Sequence, residues 1–150
     1  MRLTNGFDIS ASALTAQRLR MDVISANVAN AGVTRGKQVN GEWVPYTRKM
    51  VTMESKNASP FAEMLNKKLG NNVGEGVKVT RILEDQAPYK QVYDPTHPDA
   101  DMNGFVYLPN VDVLKEMVDM ISATRSYDAN VTVLNASKAM ISKALEIGKR

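Results

Sequence analysis

Towards the C-terminal end of the chain, side chains recur at alternating spacings of four and three: Val113, Met117, Met120, Thr124, Tyr127, Val131, Leu134, Lys138, Ile141 and Leu145. This is the heptad seam of helices that wind around one another, with Thr124 and Lys138 as its polar interruptions. A polar residue on a seam fixes register at some cost in stability. A lysine there can equally lie along the edge of the stripe with its ammonium in water, and Lys138 is open to both readings. Pro109 blocks helix before the stripe, Asn110 is a good N-cap, and Asp112 suits the positive first turn. Gly148, Lys149 and Arg150 make a sensible helix end. The spacing therefore predicts a helix over 111–147.

A looser seam runs through the N-terminal end. Phe7, Leu14, Met21 and Val28 are seven apart, with Leu3, Ile24 and Ala31 on the alternate positions and Ser10 and Gln17 interrupting. A second row, Ile9, Ala16 and Val23, widens the face. A helix over 9–30 is expected, with Gly32 as its C′ stop. Prolines stand only at 45, 60, 88, 95, 98 and 109, and no glycine lies between Phe7 and Ala31 or between Phe105 and Ile147. Both residues disrupt helix interiors, so the ends are free to be long helices and the middle is not. Within the middle, 77–83 reads as a strand after Gly74 and Gly76. Residues 43–53 read as a weaker strand that Pro45 confines to an edge. Ser59-Pro60 opens a short helix that closes at Leu69-Gly70.

The fold expected is α+β, mainly α. Residues 1–31 and 110–150 pair as a coiled-coil-like inner domain, and 32–109 form a small, irregular, β-containing middle region. Helices of roughly 33 Å and roughly 55 Å do not match in length. Part of the long seam then lacks an intramolecular partner; a monomer with such a stripe is either sticky or built to be covered by another chain, which points to an assembly.

Composition adds little. The chain has 150 residues, 23% of them charged, with no cysteine and a net charge of +3. Thiol chemistry is excluded, and the basic residues form pairs (Arg48-Lys49, Lys67-Lys68, Lys149-Arg150) rather than the stripe that nucleic acid requires. No apolar stretch is long enough to cross a membrane, and no apolar h-region follows Arg2.

Candidate chemistry is equally sparse. His97, between Pro95 and Pro98, has neither a cysteine partner nor a nucleophile-elbow sequence to serve. Gly70, Gly74 and Gly76 lead into a strand pattern instead of the helix a phosphate loop needs. Asp99, Asp101, Asn103 and Gly104 match the opening of an EF-hand loop, but its twelfth position is Asn110, where a bidentate glutamate is required. An Asx-rich turn is the better account. No catalytic, metal or cofactor residue is assigned, and neither a small-molecule substrate nor a nucleic-acid partner is expected.

Three segments carry a resemblance. Residues 16–30 end in Ser25, Asn27, Ala29 and Asn30, an S-x-N-[IVL]-A-N pattern followed by Thr34. Tyr46, Arg48 and Lys49 form a Y-x-R-K segment. Residues 93–100 (YDPTHPDA) and 103–110 (NGFVYLPN, closing on Asn110) precede the long seam. Together they resemble the flagellar rod and hook proteins. The run Thr124-Arg125-Ser126-Tyr127-Asp128, where distal members read Gln-Arg-Ala-Tyr-Glu, is closer to the proximal-rod branch.

The resemblance covers 1–50 and about 75–150; it carries nothing to 54–74, which look like a variable insertion. It implies a structural subunit of a hollow, torque-transmitting shaft, exported through the flagellar type III apparatus without a cleaved signal peptide. Its implied partners are other rod subunits, copies of itself, and membrane-ring and export-apparatus proteins. The surfaces expected to meet them are Leu14, Met21, Ile24, Val28, Val113, Met117, Met120, Tyr127, Val131, Leu134, Ile141 and Leu145. A soluble helical adaptor or chaperone binding partner helices is the alternative that the seams alone leave open.

Overall fold

A computed structural model describes residues 5–56, 64, 68 and 76–148. Helix α1 covers Asn5–Ala29, 25 residues, and helix α2 covers Val113–Ile147, 35 residues. Between them run β1 (Lys37–Val39), β2 (Glu42–Val44), β3 (Lys49–Ser55), β4 (Val77–Glu84), β5 (Lys90–Tyr93) and β6 (Phe105–Leu108). The strands pair two by two, β1 with β2, β3 with β4, and β5 with β6. Two long terminal helices in contact, with small β-hairpins between them in sequence, are the α+β, mainly α architecture that the periodicities imply. The short helix expected over 59–70 lies outside the described residues apart from Met64 and Lys68, which are helical. Leu3, Lys67, Gly70, Gly74, Lys149 and Arg150 also lie outside them.

The chain folds into two compact units. The first takes in Met1–Leu19, Thr52–Arg81 and Ala123–Arg150; the second takes in Arg20–Val51 and Ile82–Ser122. In the first, Ser12 Oγ donates to the Ile9 carbonyl at 2.7 Å and accepts from Val77 N–H at 3.1 Å, tying the start of β4 to α1. Gly76 sits so close to α1 that a Cβ there would lie 2.3 Å from Ser12 Oγ.

In the second unit, the β1–β2 hairpin turns at Asn40 and Gly41, with φ of 53° and 91°, the paired positive values of a type I′ turn. Its register sets Lys37 opposite Val44 and Gln38 opposite Trp43. The expected strand over 43–53 is divided. Residues 45–48 leave the ladder, because Pro45 has no N–H to donate and the Arg48 N–H is taken by the side chain of Asn110, at 2.8 Å. Strands β5 and β6 pair antiparallel from Lys90 opposite Leu108 to Tyr93 opposite Phe105. The two rings at the loop end of that ladder meet edge-on at 5.4 Å.

The helix ends depart from expectation in two places. Asp112, not Asn110, caps α2: its Oδ1 accepts from Leu114 N–H at 3.0 Å and its carbonyl from Glu116 N–H at 2.9 Å. Gly32 does not adopt positive φ. Helix α1 closes instead in a tightened turn, Ala31 N–H bonding to the Val28 carbonyl at 3.3 Å.

The face of α2 turned inward also differs from the apolar seam. Glu116 and Ala123 are buried and Met120, Tyr127, Asn130, Leu134, Ser137 and Ile141 half-buried, again at spacings of four and three. Met120, Tyr127, Leu134 and Ile141 belong to both series. Of the alternate apolar positions Val131 is half-buried, while Val113, Met117 and Leu145 are exposed at 40%, 53% and 70%, and one residue before each of these three stands a small or polar side chain, Asp112, Glu116 or Ala144. Helix α1 behaves alike. Its buried residues are Ser10, Ala16, Val23, Ile24 and Asn27, while Leu14 and Met21 are half-buried and Val28 is exposed. The inner line of α2 thus alternates small or polar side chains (Glu116, Ala123, Asn130, Ser137) with larger apolar ones (Met120, Tyr127, Leu134, Ile141), and the remaining large apolar side chains lie on its flanks.

Candidate functional site

In the second unit a polar cluster joins three segments distant in sequence. Asn27, 1% exposed, uses its carboxamide as a strand would use its backbone. Nδ2 donates to the Lys49 carbonyl at 2.8 Å and Oδ1 accepts from Lys49 N–H at 2.9 Å. The same Nδ2 donates to Glu116 Oε2 at 3.0 Å, and Tyr46 Oη donates to Oδ1 at 3.0 Å. Glu116, also 1% exposed, takes Arg48 Nε on its other oxygen at 2.7 Å. Arg48 also reaches Asp85 at 3.3 Å and Asp119 at 3.7 Å, and Arg20 meets Asp119 at 3.2 Å. Asn110 completes the frame: beyond holding Arg48 N–H, its Nδ2 donates to the Ala87 carbonyl at 3.0 Å.

Both oxygens of Glu116 are thus satisfied, as a buried carboxylate requires. Burial opposes the Arg48 charge, but Glu116 and then Asp85 outweigh it and hold the guanidinium pKa above its ordinary value. Tyr46 is raised by burial first and by Glu116 second. Asp85 is lowered chiefly by the Ala87 N–H and then, against burial, by Arg48. The cluster holds fixed charges and fixed hydrogen bonds.

A second polar tie stands nearby in the chain. Asp99 accepts from Thr34 Oγ1 at 2.7 Å and from Arg35, through Nε at 2.7 Å and through Nη2. Arg35 first and Thr34 second hold the Asp99 carboxyl below its usual range. The loop that resembles a calcium ligand set is therefore engaged with the segment after α1. Its twelfth position, Asn110, clamps Arg48, and His97 accepts the Asp99 N–H on Nδ1 at 3.1 Å.

The remaining feature is apolar. On the first turns of α2, Leu114, Met117, Val118 and Ile121 are exposed at 75%, 53%, 67% and 53%. They lie on one side of the helix, and Glu116 and Ala123 occupy the other. This stretch is inverted at its most buried position: the Glu116 carboxylate is inside while Leu114, Val118 and Ile121 are outside. Within the first unit, a groove of about 460 Å³ is lined by Gly6, Ser137, Met140, Ile141, Ala144 and Leu145.

Of the residues expected at an assembly surface, Val28, Val113, Met117 and Leu145 are exposed. Leu14, Met21, Met120, Tyr127, Val131, Leu134 and Ile141 are half-buried, and Ile24 is buried in the chain itself. Ser25 and Ala29 are exposed, Asn30 bonds the Ala26 carbonyl at 2.7 Å, and Asn27 and Asn110 enter the cluster. Leu114, Val118, Ile121, Glu116 and Asp85 were not anticipated. A heptad template over apolar residues passes beside the first three and treats the two carboxylates as solvated.

Both ends of the chain match flagellar rod proteins. Residues 7–36 match the family described as "Flagella basal body rod protein", and residues 102–147 match "Flagellar basal body rod FlgEFG protein C-terminal". The whole chain is similar to the flagellar basal-body rod protein FlgC of Bacillus subtilis, 59% identical over 99% of this chain and 100% of that protein. It is 47% identical to FlgC of Escherichia coli O6:H1 over 99% and 100%, and 42% identical to FlgC of Borreliella burgdorferi over 98% of each. The chain belongs to the FlgC family of flagellar basal-body rod proteins. It is a structural subunit of the rod, not an enzyme, and among the described residues no helix is long and apolar enough to cross a membrane.

Proposed function

We propose that the chain self-assembles, with copies of itself and other rod subunits, into the proximal part of a hollow shaft that transmits torque. In this reading 1–31 and 110–150 form the inner helical layer and 32–109 face outward. The chain reaches the rod through the flagellar export apparatus without a cleaved signal peptide, and abuts membrane-ring and export-apparatus proteins there.

The observation that carries the reading is the inverted start of α2. Leu114, Met117, Val118 and Ile121 face solvent in the single chain, and a charge is spent on the inner face instead. Covering each such side chain contributes on the order of 1–2 kcal/mol, a small term that repeats at every subunit of a polymer. Helix pairs in the shaft would bury this row and the groove beside Met140 and Leu145.

The test is Val118→Asp expressed from the native locus. The purified protein is expected to keep its far-UV spectrum and melting temperature, since Val118 touches solvent already. Basal bodies isolated from those cells should stop short of a complete rod. Normal rods in Val118→Asp cells would remove this face from the assembly. A soluble complex of fixed small size with partner helices, and no polymer, would favour an adaptor.

A further inference from the structure

The positions in heptad line with Glu116 and Asn27 carry little information about the alignment of the two helices. Stepping by heptads from Glu116 along α2 meets Ala123, Asn130 and Ser137; stepping back from Asn27 along α1 meets Arg20, Ala13 and Gly6. Most of these side chains are small or neutral. Sliding α2 by one heptad, on the order of 10 Å, brings Met120, Tyr127, Leu134 and Ile141 of the inward series onto one another's places, so that apolar side chains face α1 again. What such a slide cannot preserve is the environment of Glu116. In the observed alignment each of its oxygens has a partner, Arg48 at 2.7 Å and Asn27 at 3.0 Å. In a slipped one, a carboxylate would be buried without either.

We propose that Glu116, held by Arg48 and Asn27, is a specificity-determining residue that selects the register of α2 against α1. It does so without being a net source of stability. Replacing a buried ion pair with apolar side chains of similar size is often neutral or stabilising, whereas removing one partner strands the other charge. A polar residue on a helix seam excludes alternative registers because only one of them satisfies it. The register matters for function because Glu116 and the exposed row Leu114, Met117, Val118 and Ile121 share the same turns. Fixing one inward fixes where the other is presented. That last step rests on the proposed assembly role; the register itself does not.

The chain has no native cysteine, so a spin-label pair on Asp22→Cys in α1 and Lys115→Cys in α2, both exposed, reads the register directly in the full-length protein. Melting is followed in parallel for Glu116→Leu, Arg48→Met and the double variant. Each single variant is expected to melt at least ~5 °C below the parent. The double variant should recover to within ~2 °C of the parent or above it. The parent pair should give one narrow distance, and the double variant a broadened distribution with a second population displaced on the order of 10 Å. A double variant that melts as low as the singles makes the cluster a stabiliser and overturns the proposal. One that melts normally and keeps a single narrow distance overturns it as well. Loss of assembly in Val118→Asp alone, with its distance unchanged, tests the rod reading separately.

Discussion

The carboxamide of Asn27 pairs with both backbone groups of Lys49, donating to its carbonyl at 2.8 Å and accepting its N–H at 2.9 Å. A helix side chain thereby supplies the partner that a neighbouring strand would supply at the start of β3. Aspartate would lose the donor. Glutamine would carry its amide one methylene too far. The requirement is for asparagine.

Asn27→Ala leaves the Lys49 groups, which are part-buried, and one buried oxygen of Glu116 without that partner. Unpaired buried polar groups cost about 1–3 kcal/mol each, so a loss of about 3 kcal/mol is expected. Urea denaturation should show it as a lower midpoint at unchanged slope. A midpoint within experimental error of the parent would mean that the pairing is dispensable.

Asn110 and Asp112 can be separated by the size of their effects. Asp112 is an ordinary N-cap, so Asp112→Ala should cost about 1 kcal/mol. Asn110 bonds Arg48 N–H and the Ala87 carbonyl, two backbone groups of separate segments. Asn110→Ala should cost about twice as much and should expose the amide of Arg48 to hydrogen exchange. Equal effects, with the Arg48 amide still protected, would return Asn110 to the role of a cap.

Much of this architecture is legible in the residues. The helix spans follow from where proline and glycine do not occur, and β4 follows from its β-branched run. The inward face does not. Helix α2 has the same four-three periodicity one residue apart, and an apolar template selects the side a neighbour would want. Glu116 looks like a solvated charge until Arg48, sixty-eight residues away in sequence, is brought onto it. Asn110 and Asp112 are both good caps after Pro109, and only the long-range contact to Arg48 decides between them. Part of the resemblance to the family lies in Ser25, Asn27, Ala29 and Asn30, of which Asn27 has a physical role that the motif alone does not disclose.

Gly36→Ala probes the loop that brings Tyr46 to Asn27. A Cβ at Gly36 would lie 2.6 Å from Tyr46 N and 2.9 Å from the Pro45 carbonyl carbon. These are backbone atoms, so no rotamer change relieves the contact. The 45–46 segment must move, and the 3.0 Å bond from Tyr46 Oη to Asn27 moves with it. A loss of about 2 kcal/mol is expected, with the larger share in the second unit by hydrogen exchange. Gly32→Ala, which meets nothing within 4 Å, is the control and should be neutral.

Acid should loosen the tie between the 34–35 segment and Asp99. The folded-state carboxyl of Asp99 is lowered by Arg35 and Thr34. A lowered folded value gives stability that is complete above the unfolded value of about 3.9 and is lost as pH falls through the folded value. Asp99→Asn should therefore lower the denaturation midpoint at neutral pH, and its gap from the parent should close below about pH 4. Asp85 and Asp94 titrate in the same direction in both proteins and cancel in the difference. A gap that stays constant down to the acid transition would show that the Asp99 charge contributes nothing.

Two aspartate substitutions on α2 distinguish surfaces that a helical wheel drawn from apolar residues treats alike. Leu134 is half-buried on the inward series with Met120, Tyr127 and Ile141, so Leu134→Asp places a carboxylate inside the first unit. Burial without a partner costs several kcal/mol or forces protonation, and the variant should melt well below the parent as a free chain. Val118 is 67% exposed on the outward row, so Val118→Asp should leave the free chain intact. Both are expected to abolish swimming, but for different reasons. Raising the cellular amount of folded protein, by lower temperature or overexpression, should partly restore motility to Leu134→Asp and not to Val118→Asp. The assignment of inner and outer faces fails if the two variants have the same melting temperature, or if Val118→Asp is the one rescued.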